Sequence, residues 1–495
     1  MSGNPLKQLA GQTAVYGVST VLGRFLNYLL VPLHTWIFMP ESYGVVTEIY
    51  AYVAFLMVIL TYGMETAYFR YNEKNAKSKQ TVYSTVMVSI ISTTSVFLLL
   101  VFLFSNDLAA LIRYTQNQEY IYFLAMIVAF DAVSAIPLAR LRAENKPKRF
   151  AIVKLTNIGV NIGMNLLLLV GIPWIISNEI PVLADAFSLV HSGEPKVSHI
   201  FLANVFASLI QMFMLTPEFF KIERKLSFRL WREMLIYALP LLIFGLAGIM
   251  NETIDRILLK YLLPENIAMR QVGIYGACYK ISILMMLFIQ AYRYAAEPFF
   301  FAKAQNQDAK ELYAMLMKYF VVAGSVIFLG TMLYLDIIIH FINEKYWVGR
   351  DVIPILLMAN LFLGIFYNLS IWYKLTNKTR FGAYLSLIGA AITLAMNFYL
   401  IPRIGYMGSA WATFACYGTM MLLSYFVGRK YYPVNYNVPR ILFYIALVVV
   451  LYTGTEKINI QTEIIKWSVH SIVFFAFIAI AFFMEKSELK RIAKG

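Results

Sequence analysis

The sequence is poor in charge and in cysteine. Only 14% of its 495 residues are Asp, Glu, Lys or Arg, whereas 60% are hydrophobic. No class of soluble globular protein combines these values. The two cysteines, Cys278 and Cys416, both lie inside apolar segments. We therefore expect two small core residues, and neither a disulfide nor a metal site.

The sequence also lacks a nucleotide-binding motif and a loop large enough for a soluble catalytic domain. No GxxxxGK[ST] motif occurs, which excludes an ATP-driven exporter in a single chain. The connections between apolar segments are short, and the longest covers residues 177–197, so none can house a soluble catalytic domain. The first apolar run, residues 10–38, is too long for a signal-peptide core and lacks a small-residue cleavage site. We expect this run to stay in place as a helix.

The sequence consists instead of fourteen apolar segments, each long enough to cross a bilayer as a helix. Only helices and closed barrels satisfy the polypeptide backbone in lipid. The period-two alternation that marks barrel strands is absent. The pattern therefore predicts an all-α polytopic membrane protein with about 14 transmembrane helices.

The basic residues are distributed unevenly between the two predicted sides of the membrane. With the N-terminus inside, Lys and Arg are nearly three times as numerous in the inner connections and termini as in the outer ones. This bias predicts that both termini are cytoplasmic. It also accounts for the net charge of +15 through cytoplasmic loops that face anionic lipid. We therefore expect membrane lipids, and no nucleic acid, as partners.

Short motifs recur at a spacing of about six segments. The run 145–150 before the fifth segment resembles the run 377–381 before the eleventh, and Pro40-Glu41 resembles Pro264-Glu265. Because six is even, both copies take the same orientation, which makes this a parallel repeat. The prediction is two six-helix lobes followed by two additional helices and a cytoplasmic tail. These parts cover residues 1–216, 217–428 and 429–495, respectively.

Ionisable residues within the apolar segments are the first candidates for function. A charge in hydrocarbon is costly and is retained beside a partner, a cavity or water. Arg24 and Asp131 lie near mid-depth, and Lys280 lies a third to halfway into its segment. For these three we favour function, because side chains at that depth do not reach water by snorkelling. Asp255 and Arg256 fit a local ion pair equally well.

Three asparagines share one face of the fifth segment, because Asn157, Asn161 and Asn165 follow one another at intervals of four residues. One interpretation is that their amides bond to neighbouring helices. The other is a polar cavity wall that binds sugar hydroxyls. The sequence leaves both open.

Several motifs, taken in their order and spacing, resemble the polysaccharide transporter family, the flippases of lipid-linked oligosaccharides. They include Gly23-Arg24, Pro40–Gly44, Tyr62–Ala67, Ala238-Leu239-Pro240, Asp255-Arg256, Val272–Tyr275 and Glu297-Pro298. The superfamily also holds the multidrug and toxic-compound extruders and the lipid II flippase. The resemblance implies two six-helix lobes around a solvated cavity that opens to one side at a time. It implies a transporter without catalytic residues, not an enzyme.

For a substrate with a diphosphate we expect cationic binding groups, with Arg suited to bidentate phosphate contacts. Carboxylates would balance these charges or bind a coupling ion, H⁺ or Na⁺, and we expect no metal site and no other cofactor. The substrate-binding candidates are Arg24, Asn27, Asn157, Asn161, Lys280 and Arg293. The ion-coupling or charge-balancing candidates are Glu65, Asp131, Glu252 and Asp255.

The predicted function is a flippase in the bacterial cytoplasmic membrane. It would move a polyprenyl-diphosphate-linked O-antigen, capsule or exopolysaccharide repeat unit by alternating access, as a monomer. A lipid II flippase is the nearest alternative, since only the head-group contacts would differ. A multidrug antiporter would favour an acidic or aromatic cavity. A membrane-embedded polymerase or ligase would need a larger outer loop, and His191 and His199 lack the spacing of a nucleophile or metal site.

Overall fold

The computed structural model describes residues 22–23, 25–74, 78–180, 183–188, 191–223, 226–303, 308–458 and 462–494. The first substrate-binding candidate, Arg24, lies outside the described residues. The part of the first predicted segment up to residue 21 also lies outside them. No position or contact is therefore assigned to Arg24.

The described part of the chain is almost entirely helical and contains no strand. The helices up to residue 262 are α1 (Leu30–Ile37), α2 (Pro40–Thr61), α3 (Met64–Lys74), α4 (Lys79–Leu103), α5 (Ser105–Leu111), α6 (Glu119–Ala143), α7 (Pro147–Leu166), α8 (Ile172–Ser177), α9 (Leu183–Ser188), α10 (Val197–Met214), α11 (Thr216–Phe219) and α12 (Phe228–Leu262). A π-helical turn, Leu167–Gly171, joins α7 to α8.

The later helices range from 4 to 39 residues in length. They are α13 (Glu265–Lys303), α14 (Ala309–Leu333), α15 (Leu335–Ile338), α16 (Val352–Leu369), α17 (Ile371–Leu375), α18 (Arg380–Ile404), α19 (Tyr406–Tyr431), α20 (Val438–Lys457) and α21 (Glu463–Lys494). Within the described residues, 13 helical spans are long and apolar enough to cross a membrane. The predicted all-α polytopic fold is confirmed. The first of the fourteen predicted segments begins among residues that are not described.

The chain divides into two compact units. The first extends to Gly276 and the second begins at Ala277, so that the N-terminal turns of α13 belong to the first unit. The predicted lobe boundaries after residues 216 and 428, and the cytoplasmic location of both termini, stay predictions.

The two copies of the repeated motif adopt the same local backbone geometry. Asn145 and Asn377 have φ angles of 53° and 57°, in the left-handed region that Asn tolerates better than most residues. The next residue in each copy donates a backbone hydrogen bond across the turn, from Lys146 to Leu141 O (2.9 Å) and from Lys378 to Tyr373 O (2.8 Å). The repeat read from the sequence thus has a counterpart in the structure.

The motif at Tyr62-Gly63 marks the break between α2 and α3. Both residues have positive φ, 31° and 75°. A Cβ on Gly63 would lie 2.8 Å from the carbonyl oxygen of Ala238 on α12. Glycine is therefore required here both for its conformation and for the close approach of α12.

Helices α2 and α13 touch backbone to backbone near their N-terminal ends. A Cβ on Gly44 would lie 2.2 Å from Met269 O, and one on Gly273 would lie 1.8 Å from Pro40 O. No side chain fits between the helices at these positions.

We predict that Gly44→Ala lowers the unfolding midpoint of the purified protein in detergent, because its methyl group displaces α13. The matched control is Gly159→Ala on α7, where nothing lies within 4 Å of the added Cβ. That change should be neutral or stabilise by up to about 1 kcal/mol, since Ala favours helix over Gly. Equal midpoints for the two variants would contradict the backbone contact.

Candidate functional site

A buried ion pair joins α2 to α12 in the first unit. Lys260 Nζ lies 2.9 Å from both carboxylate oxygens of Glu48, and the exposed fractions are 4% for Lys260 and 0% for Glu48. The ammonium also donates to the carbonyl oxygen of Ile112 at 2.6 Å. A buried carboxylate and ammonium are tolerated only with such complete bonding.

Tyr114, in the connection between α5 and α6, completes this pair. Its hydroxyl donates to Glu48 Oε2, and Lys260 Nζ lies 3.7 Å from the centre of its ring. Burial, and then the neighbouring Glu48 carboxylate, raise the pKa of Tyr114, which keeps the phenol protonated as a donor. We call Glu48, Lys260 and Tyr114, together with the contact between Gly44 and Gly273, the helix-end joint.

The sequence reasoning missed this joint. The seventh apolar segment ends near residue 256 in the sequence, which places Lys260 in an outer connection, whereas α12 continues to Leu262. One signal was available: Glu48 stands in the third turn of an apolar segment, and a carboxylate there requires a cationic partner.

Asp255 lies in the same unit and is fully bonded. It accepts hydrogen bonds from the Tyr275 hydroxyl at 2.6 Å and from the Arg256 backbone N–H at 2.9 Å. The Arg256 guanidinium lies 3.3 Å away. Asp255 and Arg256 thus form the local ion pair that was one of their two predicted roles. Glu252, one turn earlier, is exposed, and its carbonyl oxygen accepts from Arg256. The ion-coupling roles of both acidic residues stay predictions.

Asp131 and Lys154, both half-buried, face each other across the buried amide of Gln211 in the first unit. Gln211 Nε2 donates to Asp131 Oδ1 at 3.4 Å, while Gln211 Oε1 accepts from Lys154 Nζ at 3.1 Å. These three residues lie on α6, α10 and α7, respectively. A nearby pair, Glu65 and Arg142, forms a hydrogen-bonded salt bridge with both side chains roughly a third exposed.

The asparagine face of α7 is turned toward the first segment. Asn161 Nδ2 donates to Asn27 Oδ1 at 3.0 Å, and Asn165 Oδ1 lies 2.8 Å from His34 Nε2. Asn165 is buried, whereas Asn157 and Asn161 are half-buried and Asn27 is exposed. For Asn161 and Asn165 the structure therefore shows bonds between helices. Their polar edges toward Asn27 remain partly open.

In the second unit Arg293 and Lys374 share one carboxylate. Glu297 Oε1 lies 2.7 Å from Lys374 Nζ and 3.5 Å from Arg293 NH2. The Arg293 guanidinium stacks over Tyr367 at 4.1 Å, and its buried Nε has no hydrogen-bond partner among the described residues. Lys280, one of the predicted partners of Arg293 on α13, is half-buried.

Two further buried carboxylates hold elements together. Glu218, which is fully buried, lies 2.7 Å from Lys221, 2.9 Å from Arg149 and 3.5 Å from Arg140. It thereby fixes the short helix α11 to α6 and α7.

Glu485, at 3% exposure, pairs with Lys318 and lies 3.0 Å from Arg440, and Tyr444 donates to it at 2.7 Å. This network fastens α20 and α21 to α14. Sequence reasoning missed it too, because Glu485 was assigned to the tail.

Among the described residues, no group of three or more His, Cys, Asp or Glu side chains is arranged to hold a metal ion. The predicted site residues are divided between the units. Asn27, Glu65, Asp131, Asn157, Asn161, Glu252 and Asp255 lie in the first, and Lys280 and Arg293 lie in the second. Within the first unit, the structure joins Asn27 to Asn161.

Residues 9–303 match the model of a family described as polysaccharide biosynthesis protein. No curated protein matches the sequence significantly. Among solved structures, a lipid II flippase, MurJ, in an inward closed conformation is similar, with a TM-score of 0.66 and 12% identity. The match covers 95% of this chain and 98% of that one.

Two multidrug resistance MATE family transporters of the MOP superfamily are also similar. The inward-facing structure gives a TM-score of 0.57 at 12% identity, over 88% of this chain and 99% of that one. The outward-facing structure gives 0.52 at 13% identity, over 90% and 97%. At these identities the likeness establishes the shared fold.

Lys260→Met should destabilise the protein by about 3–5 kcal/mol, because it leaves the Glu48 carboxylate buried without a counter-charge. The measurement is the free energy of unfolding in detergent. Adding Glu48→Gln to Lys260→Met should recover most of the loss, since the unpaired charge is then removed. The control is Arg229→Gln, whose partner Glu233 forms an exposed pair worth at most about 1 kcal/mol. Equal small losses in Lys260→Met and Arg229→Gln would refute the buried pair.

Proposed function

We propose that this chain, which belongs to the polysaccharide biosynthesis protein family, is a flippase for a polyprenyl-diphosphate-linked oligosaccharide in the bacterial cytoplasmic membrane. The family match confirms the resemblance predicted from the motifs. The observation that carries the proposal is that this member of the family has half-buried cationic side chains within a membrane-spanning fold. Arg142, Lys280 and Arg293 are the described examples.

The chemistry of the substrate explains why cations are useful at these positions. The polyprenyl tail can stay in lipid during transfer, whereas the diphosphate and the glycan cannot enter hydrocarbon unaided. A guanidinium binds phosphate through paired hydrogen bonds and remains charged in any environment found in a protein. The protein's part is therefore to supply these contacts along a route that excludes lipid.

Arg293 is the described cation best suited to bind the diphosphate. Its Nε donor has no hydrogen-bond partner among the described residues, and Glu297 is shared with Lys374. A phosphate that approaches Arg293 and Lys374 would replace one anionic partner with another and therefore leave no cation unpaired. Arg24 and Lys280 stay predicted partners in binding, and Asn27, Asn157 and Asn161 stay predicted contacts for sugar hydroxyls.

Alternating access provides a role for the helix-end joint. With the N-terminus inside, as the charge bias predicts, the joint lies at the outer ends of α2, α12 and α13. We propose that it closes the outer side and separates when the substrate is released there. An H⁺ or Na⁺ gradient would drive the cycle. The functional form would be a monomer that carries out no enzymatic reaction.

A lipid II flippase is the second candidate. It is favoured by the similarity to the lipid II flippase structure over 95% of the chain, and it would use the same diphosphate contacts. A multidrug antiporter fits less well, because a cationic drug would be repelled by Arg142, Lys280 and Arg293.

The test is transport of a fluorescent polyprenyl-diphosphate oligosaccharide in liposomes that contain the purified protein. Wild type should move the probe, and Arg293→Ala should slow it about tenfold or more, because a charge-assisted hydrogen bond contributes about 1.5–3 kcal/mol. Arg293→Lys should recover part of the rate, and Arg24→Ala tests the other predicted cation. The control is Arg229→Ala, at the exposed start of α12.

Each outcome separates the alternatives. A wild-type protein that moves no diphosphate-linked glycan excludes the flippase function. Preference for a lipid II head group over an oligosaccharide repeat unit selects the second candidate. Full activity in Arg293→Ala would show that the diphosphate binds elsewhere, while the function stands.

A further inference from the structure

We propose that Asp131 is the group that binds and releases the coupling proton, and that the Lys154 ammonium occupies the place a coupling Na⁺ would need. This inference rests on the proposed transport function. We call Asp131, Lys154 and Gln211, with Tyr50, Asn204 and Ser208 around them, the Asp131 cluster.

The cluster lies at mid-length of the spanning helices of the first unit, and its Asp131 and Lys154 are half-buried. Asp131 is the middle residue of α6, and at ~1.5 Å per residue it is roughly 18 Å from either helix end. Its side chain cannot reach bulk water from that depth. Helices α2, α6, α7 and α10 each contribute at least one polar side chain to the cluster. Such a concentration of polar groups at mid-membrane depth indicates a site, because helix association alone requires far less.

The hydrogen bonds fit a charge-balanced pair. Gln211 donates to Asp131 (3.4 Å) and accepts from Lys154 (3.1 Å). An ionised Asp131 is the stronger acceptor and a protonated Lys154 the stronger donor for these two bonds. No direct Asp131–Lys154 contact within 4.0 Å occurs among the described residues. The carboxylate is therefore balanced at a distance and keeps room for a proton on its own oxygens.

Protonation of Asp131 changes the cluster in two ways. The carboxyl gains an O–H donor, and the bond from Gln211 weakens because its acceptor has lost its charge. The net charge of the Asp131–Lys154 pair also rises from zero to plus one. The next charges within electrostatic range of Lys154 are Arg142 and Glu65, on α6 and α3. Protonation of Asp131 therefore changes the electrostatic interactions of three neighbouring helices. A group that drives a change of access must interact differently with the two access states.

The other groups around Asp131 are already bonded to each other. Tyr50 faces Asp131 from α2, and its hydroxyl accepts from Asn204 Nδ2 at 2.9 Å. The Ser208 hydroxyl is within hydrogen-bonding reach of the Asp131 carboxylate and lies 3.4 Å from Asn204 Oδ1. A Na⁺ ion beside Asp131 would have to take oxygen ligands from these bonds. It would also be repelled by Lys154. A proton needs only the carboxylate.

Partly exposed charged groups lie near the cluster. The Glu65–Arg142 salt bridge has side-chain exposures of 40% and 35%. Both residues are within electrostatic range of Lys154, which Gln211 links to Asp131. With the predicted orientation, this salt bridge lies on the cytoplasmic side of the cluster.

The experiment uses the full-length protein in liposomes, with the fluorescent diphosphate-linked oligosaccharide as probe and pyranine as an internal pH reporter. Probe accumulation is measured without a gradient, with a pH gradient and with a Na⁺ gradient at equal pH. For wild type, a gradient of one pH unit should raise the accumulation ratio by up to about tenfold, with proton flux detected by pyranine. The Na⁺ gradient should have no effect.

Asp131→Asn should lose both the pH-gradient stimulation and the proton flux and should retain gradient-free movement of the probe. The matched control is Asp185→Asn, an exposed aspartate on α9, which should behave as wild type. Asp131→Glu keeps a carboxylate and should keep proton coupling, with a shifted midpoint in the pH profile of the gradient-free rate. This second variant tests the proposal should Asp131→Asn not fold.

The outcomes distinguish this inference from the proposed function. A wild-type protein that moves no probe under any condition contradicts the flippase proposal itself. Gradient-free movement with undiminished proton coupling in Asp131→Asn overturns the role of Asp131 and leaves the flippase intact. Stimulation by Na⁺ in wild type, or an unchanged pH profile in Asp131→Glu, also overturns it.

Discussion

A carboxylate and an ammonium that are both out of water hold helix ends of the first unit together. The pair between Glu48 and Lys260 is surrounded by Tyr114 and by the Ile112 carbonyl, so that every charge has a bonded partner. Beside it, Gly44 and Gly273 remove the side chains that would keep α2 and α13 apart. The ion pair and the glycine contact both lie at the N-terminal part of α2, where Glu48 is one turn from Gly44.

Burial and complete bonding distinguish charged residues that have a structural role from candidates for function. Glu48, Glu218 and Glu485 are buried at 3% exposure or less, and each is bonded to more than one group. They fix one element to another. Arg293, by contrast, is partly exposed, and its Nε has no hydrogen-bond partner among the described residues. Asp131 is linked to its counter-charge, Lys154, through the Gln211 amide. Groups with incomplete bonding are the ones that can exchange partners with a substrate or a proton.

Much of the fold was predictable because lipid allows few solutions. Long apolar runs predict spanning helices, and the repeated Asn145 and Asn377 predict repeated helix ends, since both residues adopt the same left-handed conformation. Depth along a helix was also predictable, which is why Asp131 was singled out. Partners were not, because a single sequence shows the depth of a charge but not the helix it faces. Lys260 and Glu485 were therefore assigned to a connection and to the tail.

The central claim is that the helix-end joint, closed in this structure, has to separate during transport. Thr47→Cys with Gly276→Cys tests it directly. A Cβ on Gly276 would lie 3.1 Å from that of Thr47, and a separation by less than ~1 Å gives the ~3.5–4.5 Å between Cβ atoms of a disulfide. Cys278 is replaced by Ala to prevent mispairing. Our account predicts that the oxidised double variant moves no lipid-linked oligosaccharide in liposomes and that reduction restores movement. Equal transport by the cross-linked and reduced forms would contradict it.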